Sequence, residues 1–178
     1  FYICGDLNSL GITHAELGNY RMAETCYKEA LAIAEGLKDP QGLVTSYINI
    51  GSIYQAVSDY AKALDAYFKA LKIAQAAPNP NAEAVCYNNI GVTYTDLGNL
   101  GNALSYHEKA LRLHEKLIEK QATADSKLNM AAIYVDWEEI PKTERYEKAK
   151  QYLEEALAAY RELRNMRLEA MCLMDIAA

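Results

Sequence analysis

The sequence predicts an all-α fold, an α-solenoid of antiparallel helical hairpins, and three observations support this. A block of about ten positions recurs in register across three copies, each starting 40 residues after the last. Within each copy the apolar residues follow the i, i+3, i+4, i+7 spacing of two amphipathic helices. Ala, Leu, Glu and Lys recur throughout, with only 4 Pro and 9 Gly, a composition that favours helix over strand.

The first helix of each copy carries the most regular part of the pattern. Its four versions are Leu7-Asn8-Ser9-Leu10-Gly11, Tyr47-Ile48-Asn49-Ile50-Gly51, Tyr87-Asn88-Asn89-Ile90-Gly91 and Lys127-Leu128-Asn129-Met130-Ala131. Three residues further on comes an aromatic ring or imidazole, at His14, Tyr54, Tyr94 and Tyr134. Glycine inside a helix is about 1 kcal/mol less favourable than alanine. We therefore expect Gly11, Gly51 and Gly91 to let the second helix approach closely.

A short turn and a second helix complete each copy. The turns are predicted at 17–20, 57–60 and 97–100, where Gly18 and Gly98 suit a left-handed helix C-cap. The second helix has small residues at Ala23, Ala63 and Ala103, which we expect to pack against the glycines. Pro40 and the pair Pro78 and Pro80 mark the links between copies, because proline stops one helix and starts the next.

These signals give one repeat array over residues 1–178. We place repeats at 4–38, 41–77, 82–120 and 121–164, and the first helix of a fifth repeat at 166–178, which makes nine helices. The fourth repeat carries an insert at 138–143, which we expect to bulge from the end of the hairpin. The pattern is already under way at Phe1 and stops midway at Ala178, so we expect the chain to be a piece of a longer protein.

Composition excludes several classes of function. The net charge is −6, and no basic tract interrupts it, so binding to nucleic acid or to an anionic membrane is not expected. No run of 18 apolar residues is present to span a bilayer. The 4 cysteines form no CxxC pair, so we interpret them as buried small side chains in a reducing compartment and expect a cytoplasmic location.

No catalytic or metal-binding motif is found, so we expect no enzyme activity, no cofactor and no metal site. His14 and His107 stand where other copies have tyrosine, and we interpret both as core or half-buried substitutes for an aromatic ring. His107 and His114 are seven residues apart, which is not a usual spacing for a pair of metal ligands.

The residues described above, Leu–Gly–Tyr on the first helix and Ala–Tyr–Ala on the second, resemble the tetratricopeptide repeat. The 40-residue period resembles a long-repeat subgroup found in kinesin light chains, Pins/LGN-type adaptors, bacterial peptide-pheromone receptors and sensor segments of bacterial histidine kinases and diguanylate cyclases. The resemblance implies a right-handed superhelix with the first helices on its concave face. It also implies a groove that holds an extended peptide.

Asn49, Asn89 and Asn129 occupy one repeat position and are the candidate binding residues. A side-chain amide both donates and accepts, so it can pair with the N–H and C=O of a peptide. The resemblance implies that role, because asparagines at this position hold peptides in the long-repeat proteins. Neighbouring polar residues are expected to add contacts: Asn8, Ser52, Asn88 and Thr95, with Asp96, Glu16 and Asp136 favouring basic ligands. The alternative is that the asparagines only bridge adjacent first helices.

The sequence therefore predicts a non-catalytic scaffold that binds a protein or an extended peptide, neutral to basic in charge. Two alternatives stay open: a regulatory sensor segment of a bacterial signalling protein, and a structural or oligomerising spacer. Leu173 and Ile176 leave an apolar strip on the last helix without a hairpin partner, so self-association through that helix is also expected.

Overall fold

The computed structural model describes residues 2–169 and 172, and every regular element in that part of the chain is a helix. The elements are α1 (Tyr2–Glu16), α2 (Tyr20–Leu37), α3 (Pro40–Ala56), α4 (Tyr60–Ala76), α5 (Pro80–Asp96), α6 (Leu100–Leu117), α7 (Lys120–Asp136) and α8 (Lys142–Glu162). Consecutive helices pair as hairpins, α1 with α2, α3 with α4 and α7 with α8. The predicted all-α fold of helical hairpins is confirmed.

The chain divides into two compact units, Phe1–Thr93 and Tyr94–Ala178. In the first unit α3 packs against α1, α2 and α4, and the buried core between them includes Ala23, Tyr27, Ile50 and Ile53. In the second unit α7 packs against α6 and α8, around a buried cluster that includes Ala131, Leu153, Ala156 and Tyr160. Burial of one of the larger apolar side chains stabilises the fold by about 1.5–3 kcal/mol, because the side chain is removed from water.

The turns end the first helices as predicted. Gly18 and Gly98 have φ angles of 74° and 70°, and Ser58 adopts 60° at the equivalent position. The next residue then donates its main-chain N–H back to the first helix, as Asn99 does to the Tyr94 carbonyl at 2.9 Å. Asn99 also caps α6, because its Oδ1 accepts from the main-chain N–H of Asn102 at 3.3 Å.

The glycines at positions 11 and 51 make room for a ring. A Cβ on Gly51 would lie 2.5 Å from Cε1 of Tyr67, and a Cβ on Gly11 would overlap the ring of Tyr27 in the same way. Both tyrosines are buried. We expected alanines of the second helix to fill this space; the side chain that fills it is the tyrosine four residues after each of those alanines.

The fourth hairpin is the irregular one. Its turn takes residues 137–141, whereas the other turns take 17–19, 57–59 and 97–99. The predicted insert at 138–143 is divided, because its last two residues already belong to α8. That helix has 21 residues, against 17 in α4 and 18 in α6. Trp137 in this turn packs on the start of α6, where a Cβ on Gly101 would lie 3.7 Å from its ring.

Residues 166–169 are helical, so the predicted fifth first helix begins within the described part of the chain. Leu173 and Ile176 lie outside the described residues, and so does the predicted self-association through this helix. Cys4, Cys26, Cys86 and Cys172 are buried thiols, as predicted. No described helix combines the length and the apolar character needed to cross a membrane.

Candidate functional site

Asn49 is held by a second asparagine on the neighbouring first helix. Its Nδ2 donates to the Oδ1 of Asn8 at 3.0 Å, and Asn8 in turn donates its Nδ2 to the Cys4 carbonyl at 3.1 Å. Asn8 is only 7% exposed, whereas we expected it to offer an adaptable contact on the surface. The pair joins α1 to α3, which is the bridging role that the sequence left open for Asn49.

Ser52 begins a chain of hydrogen bonds through the first unit. Its exposed Oγ lies 3.2 Å from the hydroxyl of Tyr67, which donates to Oε1 of Gln55 at 3.1 Å. The Thr93 hydroxyl donates to the Asn89 carbonyl at 2.7 Å, and it also lies 3.3 Å from the same Oε1. The surface of α3 is therefore tied to α4 below it and to α5 beside it. The sequence did not indicate Gln55 or Thr93, since both vary among the copies.

Asn88 and Asn89 are half-buried on α5 in the first unit. Asn89 stands at the same repeat position as Asn49, and its backbone carbonyl is the acceptor of the Thr93 bond. The structure therefore brings Asn8, Asn49, Ser52 and Asn89 onto three first helices of one unit, with Asn8 beneath the surface.

In the second unit, Asn129 lies beside a small cavity. The cavity has a volume of about 290 Å³ and is mostly apolar; its lining consists of Leu128, Asn129, Ala131, Ala132, Val135, Asp136 and Leu153. The amide of Asn129 thus has apolar neighbours that could receive the side chains of a bound segment.

The other predicted site residues of this unit lie at the end of α5, where Thr95 is half-buried and Asp96 is exposed.

Carboxylates stand at the ends of first helices. Glu16, Asp96 and Asp136 are the last residues of α1, α5 and α7, and all three are exposed. The C-terminal end of a helix carries partial negative charge, so a carboxylate there is unfavourable by about 0.3–1 kcal/mol.

Burial shifts the pKa of two titratable groups in the core. His107 is 1% exposed, and burial lowers its pKa to about 4, so its ring is neutral at pH 7. Burial raises the pKa of the Cys86 thiol to about 12, which keeps it protonated and unreactive. Within residues 2–169 and 172 no three His, Cys, Asp or Glu side chains come together in a way that could hold a metal ion. The interpretation of His107 as a core residue is confirmed.

A family model described as tetratricopeptide repeat matches residues 4–76, 42–116 and 83–162, which together cover most of the chain. The chain belongs to the tetratricopeptide repeat family. Tetratricopeptide repeats are generally non-catalytic scaffolds for protein interaction. A comparison with curated proteins finds no match.

Solved structures share the fold of these tetratricopeptide repeats. The STAND signal transduction ATPase with a tetratricopeptide repeat sensor from Pyrococcus horikoshii has a TM-score of 0.81 and 24% identity, over 97% of this chain and 26% of that one. RapI in its apo form has a TM-score of 0.84 and 15% identity, over 96% of this chain and 60% of that one. A Rap protein complexed with Competence and Sporulation Factor has a TM-score of 0.77 and 18% identity, over 96% and 46%. The chain thus spans about a quarter of the Pyrococcus protein.

Proposed function

We propose that this chain is a non-catalytic module that binds an extended segment of a partner protein along the surfaces of its first helices. The observation that carries the proposal is the recurrence of asparagine at 49, 89 and 129, half-buried on a first helix each time. Asparagine inside a helix is less favourable than alanine by up to about 0.7 kcal/mol. Three occurrences at one repeat position therefore call for a role that alanine cannot fill.

The hydrogen bond to Asn8 supports a binding role for Asn49 as well as a bridging one. Because Nδ2 of Asn49 is held by Asn8, the amide has one orientation. Its Oδ1 accepts no hydrogen bond from the described part of the chain and stays available to a peptide N–H. An acceptor that is fixed before binding loses less entropy when a ligand pairs with it.

Charge supports a neutral or basic partner. α1, α3 and α5 contain no lysine or arginine, and their acidic residues are Asp6, Glu16, Glu83 and Asp96. A peptide rich in acidic residues would meet only like charge on these three helices, whereas a basic peptide would be attracted. On α7, Lys120 and Lys127 are already paired with Glu162 and Glu155. Four buried thiols fit a reducing compartment such as the cytoplasm.

Two similar structures support a ligand-binding role. One is a Rap protein solved as a complex with Competence and Sporulation Factor, and the other carries a tetratricopeptide repeat segment described as a sensor. The second resemblance favours a sensor segment as the alternative function. That alternative is tested by the full-length protein sequence, which should place a signalling domain beside this chain.

The test begins with random peptides displayed on phage and selected on the immobilised chain. The selected peptides are then synthesised, and their dissociation constants are measured by calorimetry against wild type, Asn89→Ala and Asn129→Ala. We expect one or both of these variants to bind about tenfold more weakly, the effect of losing about 1.4 kcal/mol of hydrogen bonding. Asn102→Ala, on the exposed side of α6, is the matched control and should bind like wild type.

Two results would overturn the proposal. Unchanged affinity in both variants would place the peptide elsewhere. If the folded chain selected no peptide, the spacer function would be favoured instead.

A further inference from the structure

An open groove lies between the two helices of the second hairpin, α3 and α4. It has a volume of about 610 Å³, and its surface is mostly apolar. The lining includes Pro40, Tyr47, Lys69, Lys72, Ile73 and Ala76. Tyr47 and Asn49 are only two residues apart on α3, so they face different sides of that helix. The binding role proposed for the asparagines therefore leaves this groove unused.

The fourth hairpin has a groove at the same place, and there the chain crosses it with its own ion pairs. This groove has a volume of about 510 Å³ and lies between α7 and α8. Lys120 of α7 pairs with Glu162 of α8 at 2.8 Å. Lys127 of α7 pairs with Glu155 of α8 at 2.7 Å. Since all of these residues line the groove, its charges are compensated within the hairpin.

The second hairpin has other residues at these positions. The first helices of the two hairpins correspond at Gly51 and Ala131, and the second helices correspond at Tyr67 and Leu153. In that register, the residues that stand in place of Lys120, Lys127, Glu155 and Glu162 are Pro40, Tyr47, Lys69 and Ala76. α3 therefore brings no charge to the groove, and α4 brings lysine instead of glutamate. No carboxylate is among the described residues that line it.

Lys72 gives this groove a positive charge that the chain does not compensate. Lys69 pairs with Asp65 at 2.7 Å, and its Nζ lies 5.9 Å from the centroid of the Tyr47 ring. Lys72 is exposed and makes no ion pair with any residue that the structure describes. α4 has three lysines and one aspartate, whereas the whole chain has a net charge of −6. The groove is thus a positively charged, apolar site in a chain that is acidic overall.

We propose that this groove binds a segment of a partner protein in which a large apolar side chain stands next to a carboxylate. The apolar side chain lies against Tyr47 and Ile73, where contact removes apolar surface of both partners from water. The carboxylate pairs with Lys72, as Glu155 pairs with Lys127 inside the fourth hairpin. A basic segment is repelled by the lysines. The site goes beyond the function proposed for the asparagines, since both its residues and the charge of its ligand are different.

A short peptide tests the proposal. A blocked tripeptide of one phenylalanine and two glutamates is titrated into the isotope-labelled chain at about 0.15 M salt, and the backbone amide signals are followed by NMR. One ring in contact with the groove and one exposed ion pair predict a dissociation constant of about 1 mM. We expect saturable shifts at the amides of Tyr47, Lys72, Ile73 and Ala76. Glycine in place of the phenylalanine, or glutamine in place of both glutamates, should weaken binding at least about fivefold.

A pair of double variants separates the groove from net charge. Lys69→Gln/Lys72→Gln should bind the peptide about fivefold more weakly, the effect of losing about 1 kcal/mol. The matched control is Lys28→Gln/Lys38→Gln, which removes the same charge from exposed positions of the first hairpin. Lys28 has an ion-pair partner in Glu24, as Lys69 has in Asp65. The control should bind the peptide like wild type.

Four results would overturn the proposal. An equal loss in both double variants would mean that only net charge matters. Absence of saturable shifts at the groove amides would mean that the peptide does not bind there. Equal binding of the glycine peptide would show that the apolar surface takes no part. Shifts of the same amides on raising the protein concentration without peptide would mean that a second copy of the chain occupies the groove.

Discussion

The amide nitrogen of Asn49 lies 3.0 Å from Oδ1 of Asn8, a residue 41 positions earlier on another first helix. This bond makes one asparagine a structural support for another, and it distinguishes Asn49 from Asn89, whose side chain makes no such hydrogen bond within the described residues. Asn49 has a partner inside the chain that helps to hold α1 against α3. Asn89 and Asn129 stand at the same repeat position on α5 and α7.

The first prediction follows from this difference. Asn49→Ala removes the donor and leaves the Oδ1 of Asn8, which is buried, without its partner, so the free energy of unfolding should fall by about 1–3 kcal/mol. Asn89→Ala should change it by less than about 0.7 kcal/mol, because alanine is the better helix former. Urea unfolding followed by circular dichroism measures both. A smaller loss for Asn49→Ala than for Asn89→Ala would contradict the support role.

The second prediction concerns the space beside Gly51. Gly51→Ala should destabilise the chain by about 1–3 kcal/mol through overpacking, since the new Cβ would lie 2.5 Å from the ring of Tyr67. That ring is buried, and its hydroxyl is bonded to Gln55, so it has no room to move away. The control is Gly36→Ala in α2, where a Cβ meets nothing within 4 Å. It should stabilise by about 0.5–1 kcal/mol; equal effects of the two changes would refute the ring contact.

The third prediction uses the neutral state of His107. Burial lowers its pKa to about 4 from the ordinary 6.5, so between these pH values the unfolded chain binds more protons than the folded one. Stability is therefore lost as the pH falls through this window, by about 3 kcal/mol at its lower end. Other copies have tyrosine at this repeat position, at Tyr27 and Tyr67. The variant His107→Tyr should therefore not show this part of the loss of stability. Denaturant unfolding at pH 7 and at about pH 4.5 tests it, and an identical pH dependence in the variant would disprove it.

The fourth prediction concerns a peptide that should not bind. Some tetratricopeptide domains grip the terminal carboxylate of acidic chaperone tails with lysines and arginines on their first helices, and α1, α3 and α5 have none. The positions that correspond to that clamp carry Asn8, Ile12, Asn49, Val85 and Asn89. Calorimetry with an acidic C-terminal tail peptide should detect no binding in the micromolar range. Micromolar affinity that disappears at high salt would show that another cationic surface takes the peptide.

The hairpins and their turns could be predicted from the sequence because local spacing determines them. Apolar periodicity defined the helices, and Gly18 and Gly98 marked residues with positive φ. Ser58 adopts the same conformation without glycine, so its turn was recognised only by its register in the repeat.

The partners of individual side chains could not be predicted in the same way. The pairing of Asn49 with Asn8 depends on the angle and the separation of α1 and α3, which a repeat alignment does not contain. The same holds for the network that joins Ser52 to Thr93 through Tyr67 and Gln55, whose members come from three helices. The division of the insert between a turn and a longer α8 also depended on where the first helical hydrogen bond forms.

The contact of Gly51 with Tyr67, like that of Gly11 with Tyr27, is made inside one hairpin. In the fourth hairpin the corresponding residues are Ala131 and Leu153, which share one buried cluster. Alanine is larger than the glycine of the other hairpins, and leucine is smaller than their tyrosine. A genetic exchange with its breakpoint in the links at 38–39 or 77–79 would move both members of such a pair together, whereas a breakpoint in a hairpin turn would separate them. Whole hairpins are therefore the segments that recombination, or an engineer who shuffles repeats, can exchange while each small residue keeps the large side chain that fits it.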